Sequence, residues 1–338
     1  MSFLVTGGSG LVGANLVRLL RARGEHPRLL LRERSERRAL RGLSFEEVIG
    51  DILEPTSLER AFRGVSHVFH VAGLMRMDPA GKEELRRVNV EGTRNVVEAA
   101  LRAGVTRLVH VSSVSAVGHG PLSAPVTEDS PYNFDSAASP YPESKRDGEA
   151  LALEAEGLEV VVANPTWVVG PYDARPTSGA LLLSVARGQR YFFPTGGNNF
   201  VNAADVAEGL WLVMEKGRPR ERYILGGENL TYREFLTQCA EECGAPRPRL
   251  PAPEALFRWG GKLADRLSHS HAWSRDFTSS TVNSLFEPHY ASSNKAAREL
   301  GYSFRPVRLG IRDAYAWFQE EGMIPRDRPL SPRGVVRL

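Results

Sequence analysis

Two residues four apart, Tyr141 and Lys145, carry the most pointed chemistry in this chain. On a helix they share one face, a turn from each other. A phenol is a poor acid at neutral pH, because its unperturbed pKa is about 10. An ammonium held beside it favours the phenolate and eases proton exchange. The pair therefore suits general acid or base work on an alcohol or a carbonyl. A surface helix also reaches this spacing by accident, so its weight rests on the elements around it.

Those elements read in order from the start. Ser2 to Val5 is a short apolar strand, followed by Thr6-Gly7-Gly8-Ser9-Gly10-Leu11-Val12-Gly13 and an apolar helical pattern up to Gly24. Gly7, Gly10 and Gly13 lie three apart between strand and helix. Glycines there permit a tight turn and let backbone N–H groups approach a pyrophosphate at the helix N-terminus. A dinucleotide site is the expectation, with an ordinary strand–helix turn as the plain alternative. Arg28 to Leu31 reads as the second strand and ends at Arg32, where a NAD site usually carries a carboxylate for the ribose. A guanidinium suits a 2′-phosphate instead, so NADP (NADPH) is favoured. Arg34, Ser35, Arg37 and Arg38 follow, and Glu33 leaves NAD open.

Glu47 to Ile49 is a third strand. Asp51 either accepts from the adenine amino group, with Ile52 on the ring, or caps a helix over Pro55–Phe62. His67 to Val71 is the fourth strand and runs into Ala72-Gly73, small residues beside which a cofactor can lie close. A helix over residues 82–103 carries Asn89-Val90-Glu91-Gly92-Thr93. Leu108 to Val111 leads into Ser112-Ser113, two hydroxyls at a strand's carboxyl end, where open α/β sheets bind ligands. Either serine could equally bond its own turn. A helix over 141–156 holds Tyr141 and Lys145, and Leu158 to Ala163 is wholly apolar, as a central parallel strand should be. The class is α/β: a Rossmann-type doubly wound parallel sheet with a smaller C-terminal substrate-binding lobe. Residues 1–170 and 199–226 are expected to form the dinucleotide-binding domain. Residues 171–198 and 227–322 form the lobe, and 323–338 a tail draped or unfolded. Asn199 to Val206 are expected to open the helix that runs to Met214, and 269–290 to be irregular.

Composition narrows the partners. The chain has 338 residues and a formal net charge of +3, which gives no case for nucleic acid. Its two cysteines, Cys239 and Cys243, are four apart, unsuited to a disulfide framework or a four-ligand zinc site. No metal is expected, and a reducing, cytoplasmic setting is. The first residues enter a strand and glycine turn at once, with no signal-peptide pattern. No apolar run approaches the ~20 residues of a membrane span, so no membrane partner is expected.

Taken together, the motifs resemble an extended (atypical) short-chain dehydrogenase/reductase of the NAD-dependent epimerase/dehydratase superfamily. They are T-G-x-x-G-x-x-G at Thr6–Gly13, Gly50-Asp51, Asn89-Val90-x-Gly92-Thr93, Ser112-Ser113, Tyr141-x-x-x-Lys145 and Asn164-Pro165. Leu31-Arg32 is similar to dihydroflavonol reductase-like members. The second half, with Gly170-Pro171 and Tyr223–Thr231, is similar to hopanoid-associated sugar epimerase-like members. The resemblance implies that Ser113 bonds the substrate oxygen, Tyr141 passes the proton and Lys145 holds the nicotinamide ribose. It implies cofactor contacts from Val71, Asn89, Ser112, Pro165 and Val168 as well as the residues above. Tyr172, Asn199 and Phe200 are expected at the substrate beside Ser113 and Tyr141. Many relatives pair helices 82–103 and 141–156 in a homodimer through a four-helix bundle. Those faces are not obviously apolar here, so a monomer stays open. Val117 departs from the sugar enzymes, which often place a tyrosine there.

Two activities fit. One is an NADP(H)-dependent reductase of a ketone or aldehyde, taking its proton from Tyr141. The other is a nucleotide-sugar epimerase or dehydratase with tightly bound NAD, which needs cations around two phosphates. Arg175, Arg187 and Arg190 are candidates for that role. The aromatic run Trp167, Tyr172, Tyr191, Phe192, Phe193 and Phe200 suits a less polar substrate, although such runs are more often core. A non-enzymatic cofactor sensor would lack Ser, Tyr or Lys, and none is missing.

Overall fold

The computed structural model of the chain describes residues 1–135, 140–188, 192–267 and 278–324. Through the first half, strands and helices alternate: β1 (Phe3–Thr6), α1 (Leu11–Ala22), β2 (Arg28–Leu31), β3 (Glu46–Ile49), α2 (Pro55–Phe62) and β4 (His67–His70). Then come α3 (Lys82–Arg86), α4 (Gly92–Ala103), β5 (Arg107–Val111), α5 (Pro140–Leu153), β6 (Glu159–Pro165) and β7 (Trp167–Val169). The second half holds α6 (Ala180–Ala186), β8 (Phe192–Phe193), β9 (Gly197–Asn202), α7 (Ala203–Lys216), β10 (Arg222–Leu225) and β11 (Glu228–Thr231). It ends with α8 (Tyr232–Cys243), β12 (Leu250–Pro251), α9 (Glu254–Leu267), α10 (Ser279–Phe286), β13 (Pro288–His289), α11 (Asn294–Leu300) and α12 (Val307–Glu320).

Seven strands form one sheet in the order β10-β6-β5-β4-β1-β2-β3, and every neighbouring pair is parallel. The chain builds outward from β1 to β3, then returns to build from β4 to β10 on the other side. The reversal lies between β1 and β4, the place where open α/β sheets bind ligands. Helices cover both faces, so the side chains of β1 and those of β6 from Val160 on are buried throughout.

Three features depart from the sequence expectations. The helix over 82–103 is interrupted by a π turn at Arg87–Glu91. Asn199 to Asn202 belong to a strand, and α7 begins at Ala203 with Asn202 as its cap, accepting from the Ala204 N–H. Within the stretch expected to be irregular, Ser279–Phe286 is helical, capped by Thr278. A second sheet, unforeseen in the sequence, orders β11-β9-β13 with β7 also paired to β9. Because β7 follows directly on β6 and β11 on β10, this sheet continues from carboxyl ends of the main one. Of the tail expected over 323–338, Ile324 is buried in the core, and residues 325–338 lie outside the described residues.

Candidate active site

A cavity of about 830 Å³ runs across the carboxyl ends of the main sheet, from Arg32 and Asp51 to Ser113, Tyr141 and Lys145 and on to α10. Its first part is a backbone cradle. Gly10 caps α1 with no side-chain bond, so the first-turn N–H groups of Leu11, Val12 and Gly13 open toward the cavity. Gly7 has φ +70°, and a Cβ there would come within 2.6 Å of the Ala72 nitrogen. A Cβ on Gly13 would strike the Gly7 carbonyl. The close approach of β1, β4 and α1 is open to glycine alone at these points. This cradle, with the buried and unpartnered Ser112 hydroxyl on the cavity wall, fits a dinucleotide.

At the far end of the adenosine half, Arg32 and Ser35 line the cavity, and the Ser35 hydroxyl accepts from the Arg32 N–H at 3.0 Å. Arg37 is paired with Glu47, and Arg38 with Glu36, which itself lines the cavity. Asp51 lines the wall beside Ile52 but does not cap α2; its Oδ1 accepts from Leu53 N–H at 3.0 Å, and Glu54 holds the cap position. Val71, Ala72, Gly73, Pro165 and Val168 also line the cavity.

α5 brings Tyr141 and Lys145 to Ser113 at the end of β5. The Ser113 hydroxyl accepts from Ser115 N–H at 3.2 Å and shares a hydrogen bond with the Tyr141 phenol. In that bond the Ser113 hydroxyl donates to the phenol oxygen, which favours the phenolate. Burial pushes the Tyr141 phenol up, and the bond with Ser113 pulls against it. Lys145 donates to the Val111 carbonyl at 3.0 Å, and a Cβ on Gly73 would lie 3.4 Å from its Nζ. Burial lowers the Lys145 ammonium to about 8, with the Glu149 carboxylate pulling it back up.

Two polar networks hold these groups. Behind Ser113, Asn164 Nδ2 donates to the Ser113 carbonyl at 2.9 Å and to Glu149 Oε2 at 2.7 Å. Glu149 is 2 % exposed and pairs with Arg222 at 3.2 Å. Behind the cradle, Thr93 donates to the Asn89 carbonyl at 2.7 Å, so His70 Nε2–H must donate to Thr93 Oγ1. Thr6 then donates to His70 Nδ1 at 2.8 Å. Burial keeps His70 neutral, down to about 3, and lowers His110 beside it. Sequence reasoning passed over Glu149, whose signal is a carboxylate one turn beyond Lys145 on the same face. It passed over Asp173 as well, which burial raises to about 6 although Thr177 and Gly179 N–H groups donate to it.

Four expected contacts are corrected. Asn89 does not line the cavity; the π turn aims its amide at Leu74 N–H, the Leu74 carbonyl and Ser144, so it positions the β4 loop. Asn199 is 1 % exposed and is spent on Thr166, Gly227, Asn229 and Ala291. Phe200 is fully buried and stacks on Phe235 at 4.0 Å. Tyr172, at φ +76°, lies under the Arg18 guanidinium and against Trp317. Arg187 likewise leaves the site, donating to the Met323 carbonyl at 3.2 Å, and Arg190 and Tyr191 lie outside the described residues.

A glycine cradle on a parallel sheet, joined through one cavity to a Ser-Tyr-Lys set, is matched over residues 3–226 by the model of the NAD dependent epimerase/dehydratase family. The chain belongs to that family. It is 38% identical to the sterol demethylase protein B of Methylococcus capsulatus, covering 96% of this chain and 100% of that protein. It is 33% identical to a putative dihydroflavonol 4-reductase of Synechocystis, covering 95% and 96%. Among solved structures it is similar to DesIV, a dTDP-glucose 4,6-dehydratase of Streptomyces venezuelae with NAD bound, at TM-score 0.76 and 26% identity, covering 96% and 99%. Members of this kind are NAD(P)-dependent short-chain dehydrogenase/reductase-type enzymes acting at CH–OH and C=O, and this chain is such an enzyme.

Proposed function

We propose that this enzyme is an NADP(H)-dependent reductase of an uncharged, largely apolar ketone or aldehyde. The observation that carries the reading is the character of the cavity beyond Tyr141. Its walls there include Leu74, Met75, Met77, Val88, Phe134 and Trp167. The charges among them are acidic, namely Glu84, which pairs with Arg76, together with Asp135 and Glu287. A nucleoside diphosphate would meet these acids without a compensating cluster of cations. Arg175 lines the cavity, but it follows Ala174, whose carbonyl accepts from Arg38 beside the β2 turn, on the cofactor side. Sterol demethylase protein B and the putative dihydroflavonol 4-reductase, by their names, support a substrate of this kind. The alternative, a nucleotide-sugar epimerase or dehydratase with retained NAD, is favoured by the likeness to DesIV.

In this reading the bound nicotinamide supplies the hydride. Tyr141 gives its proton to the oxygen of the substrate, which Ser113 steadies by a hydrogen bond. Lys145 keeps a positive charge beside the site where negative charge gathers. Arg32 and Ser35 take the 2′-phosphate, since neither Arg37 nor Arg38 is free to do so. The test is to purify the protein without added nucleotide, identify any cofactor released on denaturation, and titrate the empty protein with NADPH and NADH. Empty protein should bind NADPH more tightly, and Arg32→Ala should lose roughly 10–100-fold of that affinity, the worth of a charge-assisted bond. Stoichiometric NAD carried through purification would replace this reading by the epimerase one.

A further inference from the structure

Helix α9 is apolar on two sides, and only one of them packs against another of the described elements. Phe257, Gly261 and Ala264 face α10, so closely that a Cβ on Gly261 would lie 3.0 Å from the Ser279 Cα. The other side carries Leu256, Trp259 and Leu263, at 61, 65 and 39 % exposure, spaced three and four apart in one stripe. The short ladder that precedes α9 adds Leu250 and Phe192, paired in register and also exposed. A large exposed apolar stripe of this kind marks an interaction site.

The charges around it choose the partner. Glu254 is held by Arg258 at 2.8 Å, and Asp265 by the Ser279 N–H at 3.1 Å. Arg249, Lys262 and Arg266 are exposed and have no acidic partner among the described residues. Among the described residues four cations, Arg249, Arg258, Lys262 and Arg266, stand here against two acids, Glu254 and Asp265, so the corner is positive on balance. A second copy of the chain docking here about a two-fold axis would set these cations against one another. An interfacial helix combines an apolar face of Trp and Leu with flanking Lys and Arg, and it needs no spanning segment. Among the described residues no helix is long and apolar enough to cross a membrane.

We propose that α9 docks flat on an anionic lipid bilayer, with Leu256, Trp259 and Leu263 in the interface and Lys262 and Arg266 on the headgroups. The proposal is independent of the substrate proposed above. It departs from the expectation of no membrane partner, which rested on the lack of a spanning run. α10, against which α9 packs, lines the cavity with Ser280, Asn283 and Ser284, so the docked face lies one helix away from the substrate.

The test is co-sedimentation of the full chain with phosphatidylcholine vesicles, with and without phosphatidylglycerol. Wild-type protein should bind the anionic vesicles, and added salt should release it. The triple variant Leu256→Ser, Trp259→Ser, Leu263→Ser and the double variant Lys262→Glu, Arg266→Glu should each bind at least about tenfold more weakly. All five positions are exposed, and circular dichroism checks that the variants fold. Wild-type protein that stays in solution with anionic vesicles at low salt would overturn the proposal. So would unchanged binding by the triple variant. Self-association of wild-type protein in sedimentation velocity that the triple variant abolishes would also overturn it, assigning the face to a second copy.

Discussion

The side-chain amide of Asn164 donates to the Glu149 carboxylate at 2.7 Å, and its second N–H holds the Ser113 carbonyl at 2.9 Å. One residue at the end of β6 thus ties the helix that bears Tyr141 and Lys145 to the serine they work with. Glu149 also faces Lys145 electrostatically and raises its pKa against burial. Lys145 is otherwise surrounded by His70 and His110, both neutral, and by the Val111 carbonyl. Arg222 offsets part of the Glu149 charge. Glu149→Gln should therefore lower the Lys145 pKa below about 8 and move the alkaline limb of kcat/KM to lower pH. For a shift of one unit the loss at pH 8 is roughly five- to tenfold, with little change near pH 6. A pH–rate profile reads this directly. The variant should also lose on the order of 1–3 kcal/mol of stability, less than for a fully buried pair because Arg222 is one-third exposed.

Gly148 is the point where α5 meets the π turn. A Cβ there would run into the Asn89 carbonyl. Gly148→Ala should push α5 away and loosen the Asn89 bonds to Leu74 and Ser144. The expected cost is about 1–3 kcal/mol, as for other overpacked sites, measured by urea denaturation.

The first half of the chain was legible because its signals are stereochemical. Gly7 and Gly13 stand where no side chain fits, and β6 is apolar because both its faces are covered. The π turn at Arg87–Glu91 was not legible. It is set by what Asn89 reaches across the fold, and Asn89 itself reads as an ordinary helical residue. β9 was missed for the same reason. Its partners β7, β11 and β13 lie far apart in the chain, and the polar Asn199 hides a strand that is buried by its hydrogen bonds. Phe200 and Tyr172 were expected at the substrate, yet they pack against Phe235 and Trp317 as core. Sequence alone does not say which side of the lobe an aromatic faces.

Among the described residues His70 and His110 are buried in the neutral form, and the half-buried His289 is held neutral as well. His70 and His289 are lowered to about 3, and His110 is lowered as well, all chiefly by burial. In the unfolded chain each takes a proton near pH 6.5, so the unfolded state binds more protons below that pH. Stability should be level above about pH 7 and fall as the pH drops through 6.5 toward 3. The slope approaches ~1.4 kcal/mol per pH unit for each histidine. Thermal melts at pH 7.5, 6.0 and 5.0 check it. A melting temperature independent of pH over that range would contradict the buried assignment.

Tyr141→Phe keeps the ring and removes the proton. It should cut kcat by about 10²–10⁴-fold while leaving NADPH binding within a few-fold of wild type. Equal losses in both would mean that Tyr141 serves chiefly to bind the cofactor.

The most direct measurement follows the hydride. NADPH deuterated at C4 is supplied with a panel of uncharged cyclic ketones and aromatic aldehydes, and in parallel NAD(P) is supplied with sugar nucleotides. The reductase account predicts deuterium on the carbinol carbon of a product alcohol, with one cofactor oxidised per turnover. Conversion of a sugar nucleotide with no net consumption of added cofactor, and no reduction of any ketone or aldehyde, would contradict it.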